Sequence, residues 1–120
     1  MTGLSAAARI LVVDDDPEVL EALCQMLAEL GHVPDSARDG KEALGRYRIG
    51  AYDLMITDLT MPKMNGIELI RRLRAIDPTL RIILLTAAVP DVQQGLAPLK
   101  IEVARKPIDF QALGKLIASG

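Results

Sequence analysis

Tryptophan is missing from this 120-residue chain, and other aromatic and thiol side chains are scarce: two tyrosines, one phenylalanine and one cysteine, Cys24. A single cysteine excludes an internal disulfide. No apolar run approaches the roughly 20 residues of a membrane-spanning helix. The net charge of -2 offers no general attraction for nucleic acid or an anionic membrane. We therefore expect a cytoplasmic protein with no direct contact to either.

What the chain does contain is aliphatic side chains, which bring the hydrophobic content to 50%. A chain of this length and composition can bury a sizeable core in one domain without disulfides or metal staples. Residues 1–8 are small and polar without a long apolar core, so they are expected to form a flexible lead-in rather than a signal peptide. The predicted domain covers residues 9–118.

Short aliphatic runs alternate with helical patterns along this domain. Strands are predicted at residues 9–13, 32–37, 53–57, 80–86 and 100–104, and helices at 17–31, 40–50, 66–76 and 110–118. Gly95 and Pro98 interrupt residues 90–99, so a helix there, which would be the fourth in chain order, should be short or irregular. This alternation predicts an α/β fold, a three-layer sandwich with helices on both faces of a doubly wound, five-stranded parallel sheet.

Polar residues follow the predicted strands where each one ends. Asp14, Asp15 and Asp16 follow the first strand, Asp58 ends the third, Thr86 ends the fourth, and Lys106 comes just after the fifth. Since the strands are parallel, these residues fall on one edge of the sheet, where ligands of such folds bind. Two carboxylates about 4 Å apart repel by roughly 4 kcal/mol at an effective dielectric near 20. The acidic cluster therefore needs solvation or a cation.

The stretches "VVDDD", "MITDLTMPKMNG", "LLTA" and "RKP" occur in this order along the chain. In order and approximate spacing they resemble the response-regulator receiver domain of two-component signalling, over residues 8–118. The resemblance implies a flavodoxin-like sheet with the strand order 2-1-3-4-5. It also implies that Asp58 is the nucleophile that accepts a phosphoryl group as an aspartyl phosphate.

The same resemblance implies a Mg²⁺ site formed by Asp14, Asp15, Asp58 and the backbone carbonyl of Thr60, which are oxygen ligands that suit a hard cation. Such an ion would offset the repulsion between the carboxylates.

Two further side chains are expected to contact the phosphoryl group. Lys106 would pair with one of its oxygens as a point charge, and the Thr86 hydroxyl would bond another. Pro62 and Gly66 would shape the turn after the third strand, with glycine supplying unusual torsions.

In the function so implied, phosphoryl passes from a phosphohistidine on a sensor histidine kinase or histidine phosphotransfer protein, and small phosphodonors are a second source. The chain would be a signalling switch for an unidentified output partner rather than a metabolic enzyme. Thr60 and Ala88 lack a group that orients water, so we expect slow self-dephosphorylation. Val103 stands where receivers commonly carry an aromatic switch residue, so we expect the signal to travel by loop and helix repositioning.

Several residues are expected to have ordinary roles. Asp16 is interpreted as a solvated carboxylate, and His32, at the far end of the second strand, as a surface or packing residue. Cys24 is predicted to be a small, partly buried apolar group. The basic stretch at residues 71–75 is interpreted as a solvated outer helix face.

Three alternatives stay open at this point. A haloacid-dehalogenase-like phosphatase also uses an aspartate nucleophile with Mg²⁺, but it needs its second aspartate two residues later and a longer chain. A flavodoxin-like FMN carrier needs a hydroxyl-rich phosphate loop and aromatic flanks, which this chain lacks. A pseudo-receiver would keep the fold as a phosphorylation-independent interaction scaffold.

Overall fold

A computed structural model of the chain describes residues 7–87 and 97–119. The sheet in these ranges contains five strands: β1 (Arg9–Val13), β2 (Val33–Ala37), β3 (Leu54–Asp58), β4 (Arg81–Thr86) and β5 (Glu102–Arg105). Their order is β2-β1-β3-β4-β5, and all neighbouring strands are parallel. The α/β class and the strand order 2-1-3-4-5 are therefore confirmed.

Four α-helices are described: α1 (Pro17–Glu29), α2 (Gly40–Arg46), α3 (Gly66–Ile76) and α4 (Phe110–Ala118). An Asp or Asn side chain precedes each helix and accepts a backbone N–H from its first turn; these are Asp16, Asp39, Asn65 and Asp109. Such caps satisfy amides that have no partner within the helix. Gly31, at φ 93°, follows α1 in the left-handed conformation that ends many helices.

The core has two halves, one on each face of the sheet. Side chains alternate along β1, so Ile10 and Val12 pack with residues of α1 and α4, while Leu11 and Val13 pack with residues of α2 and α3. These four side chains are buried, whereas Arg9 at the start of the strand is exposed. Because both faces are covered, ligands can reach the central strands chiefly at their ends, which is where the polar residues lie.

Some predicted boundaries are wrong. The helix predicted over residues 40–50 ends at Arg46, because Tyr47 takes an extended conformation (φ -68°, ψ 134°) and its hydroxyl donates to Asp77. The fifth strand starts at Glu102, later than predicted, after Lys100 at φ 54°. Most of the short or irregular helix expected over residues 90–99 lies outside the described residues, although Ala97–Leu99 form a short 3-10 helix. Residues 1–6 of the expected lead-in also lie outside the described residues.

The basic stretch on α3 is only partly the solvated face that we predicted. Arg71 and Arg72 are exposed, but Arg74 is half-buried. Its guanidinium donates to the carbonyl oxygens of Leu99 (2.7 Å) and Lys100 (3.1 Å), as well as to that of Leu80. Arg74 thus ties α3 to the backbone that leads into β5, a role that helical periodicity alone does not reveal.

In the described part of the chain, no helix is both long enough and apolar enough to cross a bilayer.

Candidate functional site

The acidic residues of β1 and β3 meet because of the strand register. Val13 pairs with Thr57, so the next residues, Asp14 and Asp58, are neighbours at the carboxyl edge of the sheet. With Asp15 they form a cluster in which one carboxylate oxygen from each residue lies within 4.8 Å of the others. Asp14 is buried, Asp58 is half-buried and Asp15 is exposed. The structure therefore brings together the three predicted carboxylates.

Lys106 reaches into this cluster from the loop that follows β5. Its Nζ lies 2.6 Å from Asp14 Oδ2 and 3.3 Å from Asp58 Oδ1. The side chain of Lys106 is 18% exposed. The backbone N–H of Lys106 donates to the Thr86 carbonyl oxygen (2.8 Å), which extends the ladder between β4 and β5 by one bond. Lys106 thus bridges the carboxylates of Asp14 and Asp58, and the buried residue Thr86 lies beside it.

Burial and neighbouring charges shift the titration of both groups. Burial raises the pKa of Asp58 and the nearby Asp14 charge adds to this, while the Lys106 charge opposes it; the net pKa lies above the ordinary value. Burial alone would lower the pKa of Lys106, but the hydrogen bond and charge of Asp14, with the charge of Asp58, raise it overall. Lys106 is therefore a permanent ammonium at neutral pH.

Asp16 has a defined role that the sequence interpretation missed. It is exposed as expected, but its side chain caps α1 by accepting the N–H groups of Glu18 and Val19. Its own backbone N–H donates to Asp14 Oδ1 (2.9 Å), so the same turn orients a carboxylate of the cluster. The signal was present in "DPE", because a cap residue followed by proline and glutamate is typical of a helix start.

The loop after β3 departs from prediction in one respect. Gly66 does not have a positive φ, so it is not needed for unusual torsions; the left-handed residue of this loop is Lys63, at φ 71°. Gly66 is required for space, because a Cβ there would lie 2.2 Å from the carbonyl oxygen of Asp58. Thr60 is exposed in the same loop, two residues after Asp58, and its carbonyl stays a predicted ligand.

His32 and Cys24 have the ordinary positions expected of them. His32 precedes β2, and its Nδ1 accepts the backbone N–H of Ala8 (3.1 Å), far along the strands from the acidic cluster. Cys24 is half-buried on α1 against the core. Val103 lies on β5 and is 37% exposed. Ala88, expected to influence hydrolysis, lies outside the described residues.

The donor set fits a small divalent cation. All three clustered side chains offer carboxylate oxygens, the ligand type that Mg²⁺ takes in proteins. The pocket also holds two more carboxylates than ammonium groups. These features define a class of protein: a flavodoxin-like α/β domain with an acidic pocket and a bridging lysine at the carboxyl edge of its sheet.

Comparison with known proteins identifies the family within this class. The model of the response regulator receiver domain matches residues 10–118. The chain therefore belongs to the receiver domains of two-component response regulators, a family of signalling switches.

Individual relatives agree with this assignment. The chain is 38% identical over 109 residues to the two-component response regulator PhoP of Pseudomonas aeruginosa, covering 88% of this chain and 48% of that protein. It is 36% identical over 107 residues to the receiver protein CpdR of Brucella abortus, covering 88% and 89%. Several curated relatives are longer, and the chain spans a quarter to a half of their length.

A solved structure shows the same fold with a ligand. The response regulator TrrA from Thermotoga maritima, in complex with Mg²⁺-BeF, superposes with a TM-score of 0.86 at 36% identity, covering 93% of this chain and 97% of that one.

Proposed function

We propose that this chain is a phosphoacceptor in a phosphorelay, in which Asp58 takes a phosphoryl group from a phosphohistidine of a sensor histidine kinase or histidine phosphotransfer protein. A carboxylate oxygen of Asp58 attacks phosphorus, the bond from phosphorus to the histidine nitrogen breaks, and an aspartyl phosphate forms. The observation that carries the proposal is the pocket geometry: Lys106 Nζ contacts both Asp14 and Asp58 at the edge where the carboxylates cluster.

Each residue of the pocket has a part in this reaction. Lys106 already lies 3.3 Å from Asp58, so it is placed to neutralise an oxygen of the incoming phosphoryl group. Thr86 ends β4 beside Lys106, and its hydroxyl donates to a second oxygen.

The four oxygen ligands proposed for Mg²⁺ are Asp14, Asp15, Asp58 and the Thr60 carbonyl. When bound, the ion supplies charge neutralisation at the equatorial oxygens of the transferring group. TrrA, which is 36% identical to this chain, was solved in complex with Mg²⁺-BeF, and this supports Mg²⁺ as the ion.

The direct test is incubation with Mg²⁺ and acetyl phosphate, followed by intact mass measurement. The native chain should gain one phosphoryl group, and Asp58→Asn should gain none. Asp53→Asn is the matched control, because Asp53 is an exposed aspartate that pairs with Arg9 (3.9 Å) away from the pocket. No adduct on the native chain would favour a phosphorylation-independent scaffold, and an adduct on Asp58→Asn would place the acceptor elsewhere.

The lifetime of the phosphoryl group follows from the loop after Asp58. Thr60 carries no carboxylate or carboxamide to orient an attacking water, so self-dephosphorylation should be slow. Purified phosphoprotein should keep its adduct over a time course in Mg²⁺ buffer, and rapid loss would contradict the expectation.

The output step should not use an aromatic rotation, because Val103 stands on β5 three residues before Lys106. A valine has no ring to turn inward, so the response is expected as repositioning of backbone over residues 86–110. Amide exchange with and without a phosphoryl mimic should change in that range. An unchanged exchange pattern there would count against this route.

A further inference from the structure

A second concave feature adjoins the acidic pocket. It is an apolar groove of about 370 Å³ between α1 and the segments that follow β4 and β5. This volume lies in the lower part of the range typical of small-molecule sites. The groove is lined by Val19, Ala22 and Met26 of α1 and by Lys106, Pro107 and Ile108 after β5, among others.

The groove and the acidic pocket share one side chain. Lys106 forms part of the groove wall, and its Nζ lies 2.6 Å from Asp14 and 3.3 Å from Asp58. It is the one charged or polar side chain among the described residues that line the groove. A ligand held there would therefore present its apolar part to α1 and any anionic group to the ammonium beside Asp58.

We propose that this groove receives the acyl chain of an acyl phosphate, so that the protein accepts phosphoryl from acyl phosphates with several carbons in preference to acetyl phosphate. The inference rests on the proposed function, since it assigns a donor class to the same nucleophile. The charge of Lys106 suits the phosphoryl end, and the surrounding aliphatic wall suits an alkyl chain.

The transfer is balanced without any co-reactant. A carboxylate oxygen of Asp58 forms a bond to phosphorus, and the bond between phosphorus and the bridging acyl oxygen breaks. The leaving acyl group takes the bonding electron pair and departs as a carboxylate. Neither proton nor oxidant is needed.

The expected preference for butyryl phosphate over acetyl phosphate follows from how much of the donor's alkyl chain the groove covers. In an enclosed apolar pocket one methylene changes discrimination by roughly 10–200-fold. This groove is open to solvent on one side, so the two additional methylenes of butyryl phosphate should give about a tenfold higher second-order rate than acetyl phosphate. The two donors release carboxylates of similar acidity, so the chemical step itself should not favour either.

The experiment measures the rate of Asp58 phosphorylation by intact mass, in Mg²⁺, with acetyl phosphate and with butyryl phosphate. Ala22→Leu fills the groove from an exposed position of α1. Ala28→Leu adds the same side chain at an exposed position of α1 that does not line the groove, so it is the matched control. Circular dichroism of both variants verifies that α1 is retained.

The inference is supported if Asp58 is phosphorylated about ten times faster by butyryl phosphate than by acetyl phosphate in the native chain and in Ala28→Leu, and at about equal rates by the two donors in Ala22→Leu. A native ratio near one with normal acetyl phosphate labelling would overturn the inference, leave the proposed function intact and assign the groove to a protein partner instead. A high ratio that Ala22→Leu does not change would also overturn it. Failure of both donors to label Asp58 would defeat the proposed function together with this inference.

Discussion

Replacement of Lys106 by methionine should destabilise the protein in the absence of divalent cations and should make it more responsive to Mg²⁺. Methionine keeps the length and apolar stem of the side chain but removes the ammonium that contacts Asp14 at 2.6 Å and Asp58 at 3.3 Å. The variant would leave two carboxylates without their counter-charge in a pocket where the Asp14 side chain is only 2% exposed.

The size of the loss can be bounded from the burial of the three groups. Removing one partner of a fully buried ion pair costs about 3–5 kcal/mol. The side chains of Asp58 and Lys106 are 13% and 18% exposed, so solvent screens part of the remaining repulsion. We therefore expect a decrease of about 2–3 kcal/mol in the free energy of unfolding, or about 10 °C in Tm for a domain of this size.

Mg²⁺ should offset this loss, because a cation bound to the carboxylates replaces the missing positive charge. Binding at a concentration 100 times Kd stabilises a protein by about 2.7 kcal/mol. The gain in Tm with Mg²⁺ should be larger for the variant than for the native chain, in which Lys106 already neutralises the pocket.

Without Mg²⁺, the difference in melting temperature between the Lys106→Met variant and the native chain should also become smaller as pH falls from 7 toward 5. The pKa of Asp58 is already raised by burial, and it rises further without Lys106; protonation of Asp58 then removes the repulsion.

Thermal unfolding followed by circular dichroism is the appropriate assay, since the chain has no tryptophan. Lys115→Met is the matched control, because Lys115 is an exposed lysine on α4. Sodium chloride at matched ionic strength separates specific binding from screening. A Lys106→Met variant that melts with the native chain, or whose melting temperature gains no more from Mg²⁺ than that of the native chain, would refute the reasoning.

Three other changes have defined outcomes. Asp58→Asn should raise the melting temperature at neutral pH, because the Asp58 pKa is raised in the folded protein and stability is therefore lost as pH rises through that pKa. The difference in melting temperature between Asp58→Asn and the native chain should disappear as pH falls toward 4. Equal melting temperatures at pH 7 would contradict this prediction. Gly66→Ala should cost about 1–3 kcal/mol and slow phosphorylation, since its Cβ would lie 2.2 Å from the Asp58 carbonyl oxygen. Gly45→Ala on α2 is the control, because its added Cβ meets nothing within 4 Å, and it should stabilise the protein slightly. A similar loss of stability in Gly66→Ala and Gly45→Ala would show that crowding is not the cause. Asp16→Ala should cost about 1 kcal/mol by removing the α1 cap, and Asp16→Ser should recover most of it in urea unfolding; equal losses would exclude capping.

Much of the fold could be predicted because its signals are local. The limits of β1, α3 and α4 agree with the sequence patterns, since alternating burial and cap residues such as Asn65 and Asp109 act within a few residues of the boundary. Asp14, Asp58 and Lys106 meet because parallel strands end at one edge of the sheet. The bridging position of Lys106 between the two carboxylates depends on how its side chain packs, which the strand pattern does not determine.

The features that were missed depend on contacts between distant segments. Helical periodicity cannot show that Arg74 reaches the carbonyl oxygens of Leu99 and Lys100, about 25 residues away. Glycine often supplies unusual torsions, so the sequence predicts that role for Gly66, whereas the structure requires glycine there for close approach to the Asp58 backbone. In both cases tertiary packing decides the role of a residue whose local pattern permits several.

Locating the phosphoryl group on the chain tests the central claim most directly. After reaction with acetyl phosphate and Mg²⁺, borohydride reduction converts an aspartyl phosphate into homoserine, which peptide mass spectrometry can place at a single residue. We predict homoserine at position 58 alone, and none when Mg²⁺ is chelated before the reaction. Homoserine at position 14 or 15, or labelling that does not depend on Mg²⁺, would contradict the account.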